Sequence, residues 1–189
     1  MISLRSVKGE DRDRLLAWRN APHVARYMYT DHHISPEEHA RWFETLDSDQ
    51  ERKYWIIESN SVPVGLVNLY DIDQRNKRCS WAFYLGAEEG RGAGIGSQVE
   101  GAILVHVFET MGFNKLCCEV LESNEAVWNM HLKFGFLKEG LLRQHVWKDG
   151  AFQNVVALAM TADDWRAQKQ TPRMTRLLER LREPAFAAG

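Results

Sequence analysis

Cysteine is scarce, with only Cys79, Cys117 and Cys118, which excludes a fold held together by disulfides. Adjacent Cys117 and Cys118 point to opposite faces of a strand and are poorly arranged for a bridge. No Cys-x-x-Cys and no His/Cys cluster at zinc spacing occurs, so no metal is expected. His23, His32, His33, His106 and His145 are likewise read as surface or packing residues. Long apolar runs are absent, and none approaches the roughly 20 residues that span a bilayer. The opening MISLRSVKGEDRDR has no apolar stretch of the kind a secretory signal needs. A cytoplasmic protein with reduced thiols and no membrane partner is expected. Neither sign of charge dominates, since 24 Lys and Arg face 26 Asp and Glu for a net charge of -2. That balance gives no support to nucleic-acid binding. Repeats and low-complexity segments are also missing.

What is present is an ordinary globular composition, 44% apolar and 26% charged over 189 residues. Such a chain buries a core without staples. Residues 1–165 read as one domain and 166–189 as a helical or loose tail, with the closing EPAFAAG loose. Seven tryptophans are many for this length, and amphipathic aromatics often line binding surfaces.

The patterning alternates strands and helices. MISLRSV reads as a strand, and residues 10–20 as a helix ending near Asn20. Ala21 to Ile34, rich in Tyr, Met and His, has the composition of an irregular binding loop. Ser35-Pro36-Glu37-Glu38 predicts a helix start: Ser35 caps, Pro36 takes the first helical position and Glu38 closes a capping box. His39, Trp42, Phe43 and Leu46 then recur at helical spacing, which puts His39 on the apolar face. Lys53–Ser59 and Val62–Asp71 are strands joined at Asn60-Ser61. Arg78–Gly86 is a strand in which Trp81, Phe83 and Leu85 alternate with Ala82 and Tyr84. Ile95, Val99, Ile103, Val107 and Met111 mark a long helix closed by Gly112. Lys115–Leu121 is a strand, Asn124–Phe134 a helix ended by Gly135, and two strands flank Asp149-Gly150. From Thr161 onward the chain reads as helical. The order predicts an α/β (α+β mixed) fold, a mixed sheet with helices on both faces.

Between the Arg78 strand and the long helix lies Gly90-Arg91-Gly92-Ala93-Gly94-Ile95-Gly96-Ser97. Glycines let the backbone approach a ligand, successive N–H groups at a helix start hold an anion, and Arg91 adds charge. This is a phosphate or diphosphate cradle. Walker A lacks its GK[ST] ending here, and the Rossmann fingerprint lacks its spacing.

The segment resembles the R-x-x-G-x-G signature of the Gcn5-related N-acetyltransferases, or GNAT enzymes. The resemblance extends over nearly the whole chain, through Asn124 and His131-Leu132-Lys133-Phe134-Gly135-Phe136. It implies a GNAT fold in which the Arg78–Gly86 and Lys115–Leu121 strands splay apart to hold acetyl-CoA. The contacts it implies come from Leu85, Gly86, Arg91, Gly92, Ala93, Gly94, Gly96, Ser97, Asn124 and Phe134, with the Leu85 and Gly86 amides free if the strand bulges. His131 stands where the family commonly has a tyrosine as general acid, and a histidinium is able to protonate a thiolate. A histidine packing beside the cofactor is the alternative.

A finer resemblance runs through Trp18-Arg19-Asn20, Tyr27-Met28-Tyr29-Thr30-Asp31-His32, Glu38-His39 and Trp42-Phe43, with Glu139-Gly140 and Arg143 later. It is to the PseH-type nucleotide-sugar N-acetyltransferases. It implies transfer of acetyl to the 4-amino group of a UDP-linked 4-amino-4,6-dideoxy sugar, in pseudaminic acid and flagellin-glycan formation. Arg19, His39, Trp42, Asn68 and Tyr84 would then line the acceptor pocket, with His39 and Tyr84 beside His131 in the chemistry. Arg26 and the Tyr27 and Tyr29 rings would meet the UDP, and Trp42 with Phe43 a sugar methyl. A homodimer is the assembly considered. A GNAT enzyme acting on a protein N-terminus or a polyamine is the runner-up, and a CoA-binding sensor without turnover a third reading. Polyamines call for an acidic pocket, whereas this N-terminal third mixes Arg26, His32, His33 and Arg41 with acids.

Overall fold

The computed structural model describes residues 2–46, 48–88, 94–181 and 186. Seven strands form one sheet: β1 Ile2–Ser6, β2 Lys53–Ser59, β3 Val62–Asp73, β4 Arg78–Leu85, β5 Lys115–Leu121, β6 Leu137–Lys148 and β7 Ala151–Thr161. Their order is β1-β2-β3-β4-β5-β7-β6, and among these described strands β4–β5 is the one parallel pair. The helices are α1 Arg12–Asn20, α2 Pro22–Ala25, α3 Pro36–Thr45, α4 Ile95–Val105, α5 Glu125–Phe134, α6 Ala162–Gln168 and α7 Pro172–Arg180. No helix among the described residues is long and apolar enough to cross a membrane.

Strand alternation divides the core. On one side Ile57, Val67, Leu69 and Trp81 pack with Val99 and Ile103 of α4. On the other Ile56 and Leu66 pack with Leu15 of α1 and Trp42 of α3. The period-2 pattern thus sends neighbouring residues of one strand into two cores.

Turn chemistry follows the sequence. Asn60 and Ser61 both hold positive φ (51° and 65°), as do Asp149 and Gly150 (52° and 77°), the backbone of type I′ hairpins. Gly135 closes α5 at φ 99°.

Four local expectations are corrected. The 21–34 segment is not wholly irregular, because Pro22 starts the short α2. Ser35 Oγ accepts the Glu38 N–H at 3.1 Å, but the capping box is not reciprocal: the Glu38 carboxylate turns to His32 Nε2 at 2.9 Å. The long helix is α-helical only to Val105, then makes one wide π turn over His106–Thr110. The Met111 N–H donates to His106 O at 2.8 Å, and the widened turn lets adjacent Val107 and Phe108 both enter the core. Finally, β4 pairs with β3 through Gly65↔Leu85 without a bulge at that end, the one register shift of this ladder lying between Tyr70 and Asp73.

Among the described residues the C-terminal segment forms the helices α6 and α7. Gly101 of α4 lets Leu177 and Leu181 approach closely, and Met174 is buried. Of the closing residues expected to be loose, only Phe186 is described; its ring stacks on His106 at 4.1 Å.

Candidate active site

The β4–β5 ladder is short. Arg78↔Lys115, Cys79↔Leu116 and Ser80↔Cys117 pair, and beyond them the strands part, so Trp81–Leu85 and Cys118–Leu121 face a wedge. The Gly86 N–H donates to Val64 O at 2.9 Å. Without a bulge it is therefore not free for a ligand, contrary to the expectation for Gly86. Strand alternation leaves the Leu85 N–H directed to the wedge side. Gly86 has a different use: a Cβ there would lie 2.1 Å from Trp18 Cγ.

Of the expected cradle, Gly94–Ser97 are described, at the start of α4. Arg91, Gly92 and Ala93 fall outside the described residues. Gly94 holds φ 68° at the N-cap of α4, with open space where a Cβ would be. The first amides of α4 have no acceptor within the helix, which suits a diphosphate. Gly96 is less constrained, because a Cβ there would meet Phe83 at an ordinary 3.4 Å. Asn124 caps α5 by position, without a side-chain bond. Ser97 and Phe134 line a second cavity of about 370 Å³ with Arg173, Arg176 and Arg180. These groups fit a nucleotide diphosphate.

Where β4 and β5 part stands His131. It is buried, with its ring edge on Trp81 (5.3 Å) and near Phe136 (5.4 Å). Its Nδ1 is 2.9 Å from Oε1 of Glu100, which is fully buried on α4. With Nδ1–H donated to the carboxylate, Nε2 is left to exchange a proton, and no described residue bonds it. Burial raises the Glu100 carboxyl pKa, and the hydrogen bond from His131 opposes that rise. Sequence reasoning missed Glu100. Its signal was present: it is the one charged residue in the apolar run IGSQVEGAILV.

The remaining predicted residues converge on another cavity of about 420 Å³ between α1, α3 and strands β2–β4. Arg19, His39, Trp42, Asn68 and Tyr84 all line it. Trp18-Arg19-Asn20 divides its labour at the end of α1. Trp18 covers Gly86. Arg19 Nη2 donates to Thr30 Oγ1 at 3.0 Å. The Asn20 amide clamps both Ile34 N–H and Ile34 O at 2.9 Å, fixing the return of the 21–34 segment.

Electrostatics distinguish these groups. Arg19 is half-buried and makes no ion pair with a described carboxylate; burial lowers its pKa without discharging it. His39 is 4% exposed, and its Nε2 has no hydrogen-bond partner. Burial first, and the Arg12 charge second, lower its pKa, so its imidazole is neutral and able to accept a proton. Burial raises the Tyr84 pKa, which keeps its hydroxyl protonated. The lining contains one carboxylate, Glu38, together with Arg19 and Arg52.

Several aromatic expectations change place. The Arg26 guanidinium lies over the Tyr27 ring at 4.5 Å, and Tyr29 Oη donates to Glu119 at 2.8 Å. Neither tyrosine lines the cavity; Met28 and Thr30 do. Phe43 packs into the core beside it. Lys148 Nζ donates to Thr30 O at 3.1 Å, and the Asp149 N–H to Asp31 Oδ1 at 2.8 Å. The β6–β7 turn thereby holds the loop over the sheet.

Comparisons with known proteins bear on this arrangement. The Acetyltransferase (GNAT) domain family matches residues 2–137. The spermidine N(1)-acetyltransferase of Escherichia coli is 23% identical over 176 residues, covering 93% of this chain and 94% of its own. Acetyltransferase PseH of Campylobacter jejuni is 24% identical over 134 residues, covering 69% and 82%. A solved structure of spermidine N-acetyltransferase from Vibrio cholerae, in complex with CoA and spermine, superposes with a TM-score of 0.81 at 19% identity, covering 87% and 98%. Its likeness is one of fold. With the splayed strands and the α4 amides, the match over most of the chain leads to one conclusion: the protein belongs to the GNAT family and is an acetyl-CoA-dependent N-acetyltransferase.

Proposed function

We propose that the acceptor is an amine carried on an anionic nucleotide sugar, a UDP-linked 4-amino-4,6-dideoxy sugar acetylated at its 4-amino group. This is the cytoplasmic step in pseudaminic acid and flagellin-glycan formation that the PseH-type resemblance implies. The observation that carries the reading is Arg19, a half-buried guanidinium in the cavity wall without an ion pair among the described residues. Arg52, whose Nε pairs with Asp49 at 3.5 Å, adds a second cation, while Glu38, the one carboxylate of the lining, is engaged by His32. A polyamine with several ammonium groups meets repulsion there. A diphosphate finds charge-assisted donors.

Bound acetyl-CoA supplies an activated acetyl thioester. Around it each residue has a role set by its surroundings. Neutral His39 accepts a proton at Nε2 as the amine becomes nucleophilic. Tyr84 Oη, kept protonated, orients the acceptor. The Leu85 N–H, directed to the wedge, donates to developing negative charge on oxygen. His131 holds a proton at Nε2 for the leaving sulfur, with Glu100 fixing its tautomer through Nδ1. Trp42, beside His39, offers apolar surface to a sugar methyl, whose burial contributes about 1 kcal/mol. The same reading takes residues 1–165 as the catalytic domain. It also takes the exposed Trp147 and Phe152 of the β6–β7 hairpin as the contact of a homodimer.

The longer match to spermidine N-acetyltransferases supports a polyamine as the second reading. Thiol-release assays with the UDP-amino sugar, spermidine and an N-terminal peptide separate them. The nucleotide sugar should give the highest kcat/KM, and Arg19→Gln should raise its KM about tenfold or more. Higher kcat/KM for spermidine overturns the acceptor assignment and leaves the acetyltransferase intact.

A further inference from the structure

We infer that α7 provides a second anion subsite, which takes the 3′-phosphate of the CoA adenosine. The proposal rests on the CoA reading of the α4 amides and extends it to a helix outside the matched family domain, which ends at residue 137.

Arg173, Arg176 and Arg180 recur at i, i+3 and i+7, on one face of α7. They line the cavity of about 370 Å³ together with Ser97, Phe134 and Leu177. The opposite face of the helix, with Met174 and Leu178, packs on the core, so the arginine face is held in one direction. The cavity lining contains no carboxylate. None of the three arginines makes an ion pair with a described residue, although ion pairs are plentiful elsewhere in the protein.

Two of them have fixed stems. Arg173 Nη1 donates to Lys133 O at 3.0 Å, and its guanidinium lies over the Phe134 ring at 5.1 Å. Arg176 Nε donates to Pro172 O at 3.0 Å, which leaves its terminal nitrogens unspent. Three guanidinium groups on one face repel each other, and a bound dianion reverses that repulsion. The opposite wall supplies position: Ser97 belongs to the first turn of α4, whose free amides suit the diphosphate. A phosphomonoester attached to the same nucleotide reaches this cavity within one ligand. The chemistry selects a phosphate ester of a bound nucleotide over free phosphate, because Ser97, in the first turn of α4, is itself part of the cavity lining.

The test is calorimetric, with the full-length chain, CoA and 3′-dephospho-CoA. Wild type should bind CoA about tenfold or more tightly than 3′-dephospho-CoA, as expected when charge-assisted contacts to one phosphate are lost. In the Arg176→Gln/Arg180→Gln protein that preference should collapse to about twofold or less, through weaker CoA binding with 3′-dephospho-CoA affinity retained. Circular dichroism verifies the fold, and Arg176→Lys/Arg180→Lys, which keeps the charge, should restore part of the preference. Equal wild-type affinity for the two ligands overturns the subsite, and so does a variant that weakens both equally. Inorganic phosphate competing with CoA as strongly as adenosine 3′,5′-bisphosphate would make the groove a free-phosphate site and overturn the assignment. If wild type binds neither CoA form, the cofactor reading itself fails.

Discussion

Asp11 is fully buried at the entry to α1, and three cations or donors surround it. Arg5 reaches it at 2.7 and 2.9 Å, Arg14 at 2.7 Å and the Lys8 N–H at 2.9 Å. Arg5 also ties Glu58 of β2 at 2.6 Å, so one carboxylate anchors β1, β2 and the approach to Arg19. Burial alone pushes the Asp11 pKa up, but the Arg5 hydrogen bond and the Lys8 amide outweigh it, and the pKa is lowered. A lowered carboxylate pKa stabilises the fold at neutral pH, and that contribution disappears as pH falls below about 4. Asp11→Ala leaves two arginines facing an empty site and should cost about 3–5 kcal/mol in urea unfolding. It should also flatten the acid-side loss of stability. The His131–Glu100 pair gives a second prediction at this scale. His131→Ala should lower kcat about 10²–10⁴-fold, the usual range for a lost proton donor. Glu100→Gln keeps the volume but removes the carboxylate that accepts from His131 Nδ1. It should lower kcat about tenfold or more, while the acceptor KM stays within about twofold. An unchanged kcat would reduce Glu100 to packing.

At the scale of elements, the start of α4 and the start of α3 set the two ends of the site. Gly94 occupies the left-handed region with no described residue near a prospective Cβ, so the backbone conformation is what demands glycine there. Gly94→Val should cost about 1–2 kcal/mol of local strain and weaken CoA binding, measured by calorimetry. Unchanged affinity in the folded variant would remove Gly94 from the cofactor site. Ser35→Ala removes the bond that caps α3 and should cost about 1 kcal/mol in thermal unfolding. Since His39 and Trp42 lie on α3, the acceptor KM should rise with it. Element boundaries were largely legible in the sequence, because hydrophobic period, caps and turn residues act over a few positions. The π turn was not: Val107 fits the i+4 series either way, and only the packing of Phe108 beside it favours the wider turn.

For the molecule as a whole, the C-terminal helices close the core that α4 begins. Trp165 is buried, donates Nε1–H to Glu109 Oε1 at 3.0 Å and stacks on Phe108 at 6.1 Å. Met174, Leu177 and Leu181 extend that contact along α4. Removing residues 171–189 exposes this apolar face. A loss of about 3–5 kcal/mol follows from the buried side chains, equivalent to roughly 10 °C in Tm for a chain of this size. A truncated chain with unchanged Tm would make the segment an appendage.

The sequence by itself determined most of the strands and helices and the glycine-rich start of α4, whereas the splayed pair of strands and the grouping of Arg19, His39, Trp42, Asn68 and Tyr84 were what the family resemblance implied. Alternation, capping and motif spacing are properties of neighbouring residues, and they survive in one dimension. Tertiary structure alone decided the rest. Glu100 and His131 are 31 positions apart, and their pairing exists only because α4 and α5 pack together. The absence of an ion pair at Arg19 depends on which acids fold toward it, and Glu38 turned to His32 instead. Tyr27 and Tyr29 alternate with Met28 and Thr30 along one segment, yet with the anchors at Asn20, Lys148 and Asp149 in place it is Met28 and Thr30 that line the cavity. Ser97 and Arg180 meet across a groove because Gly101 allows α7 to lie close on α4, a contact that no local pattern encodes.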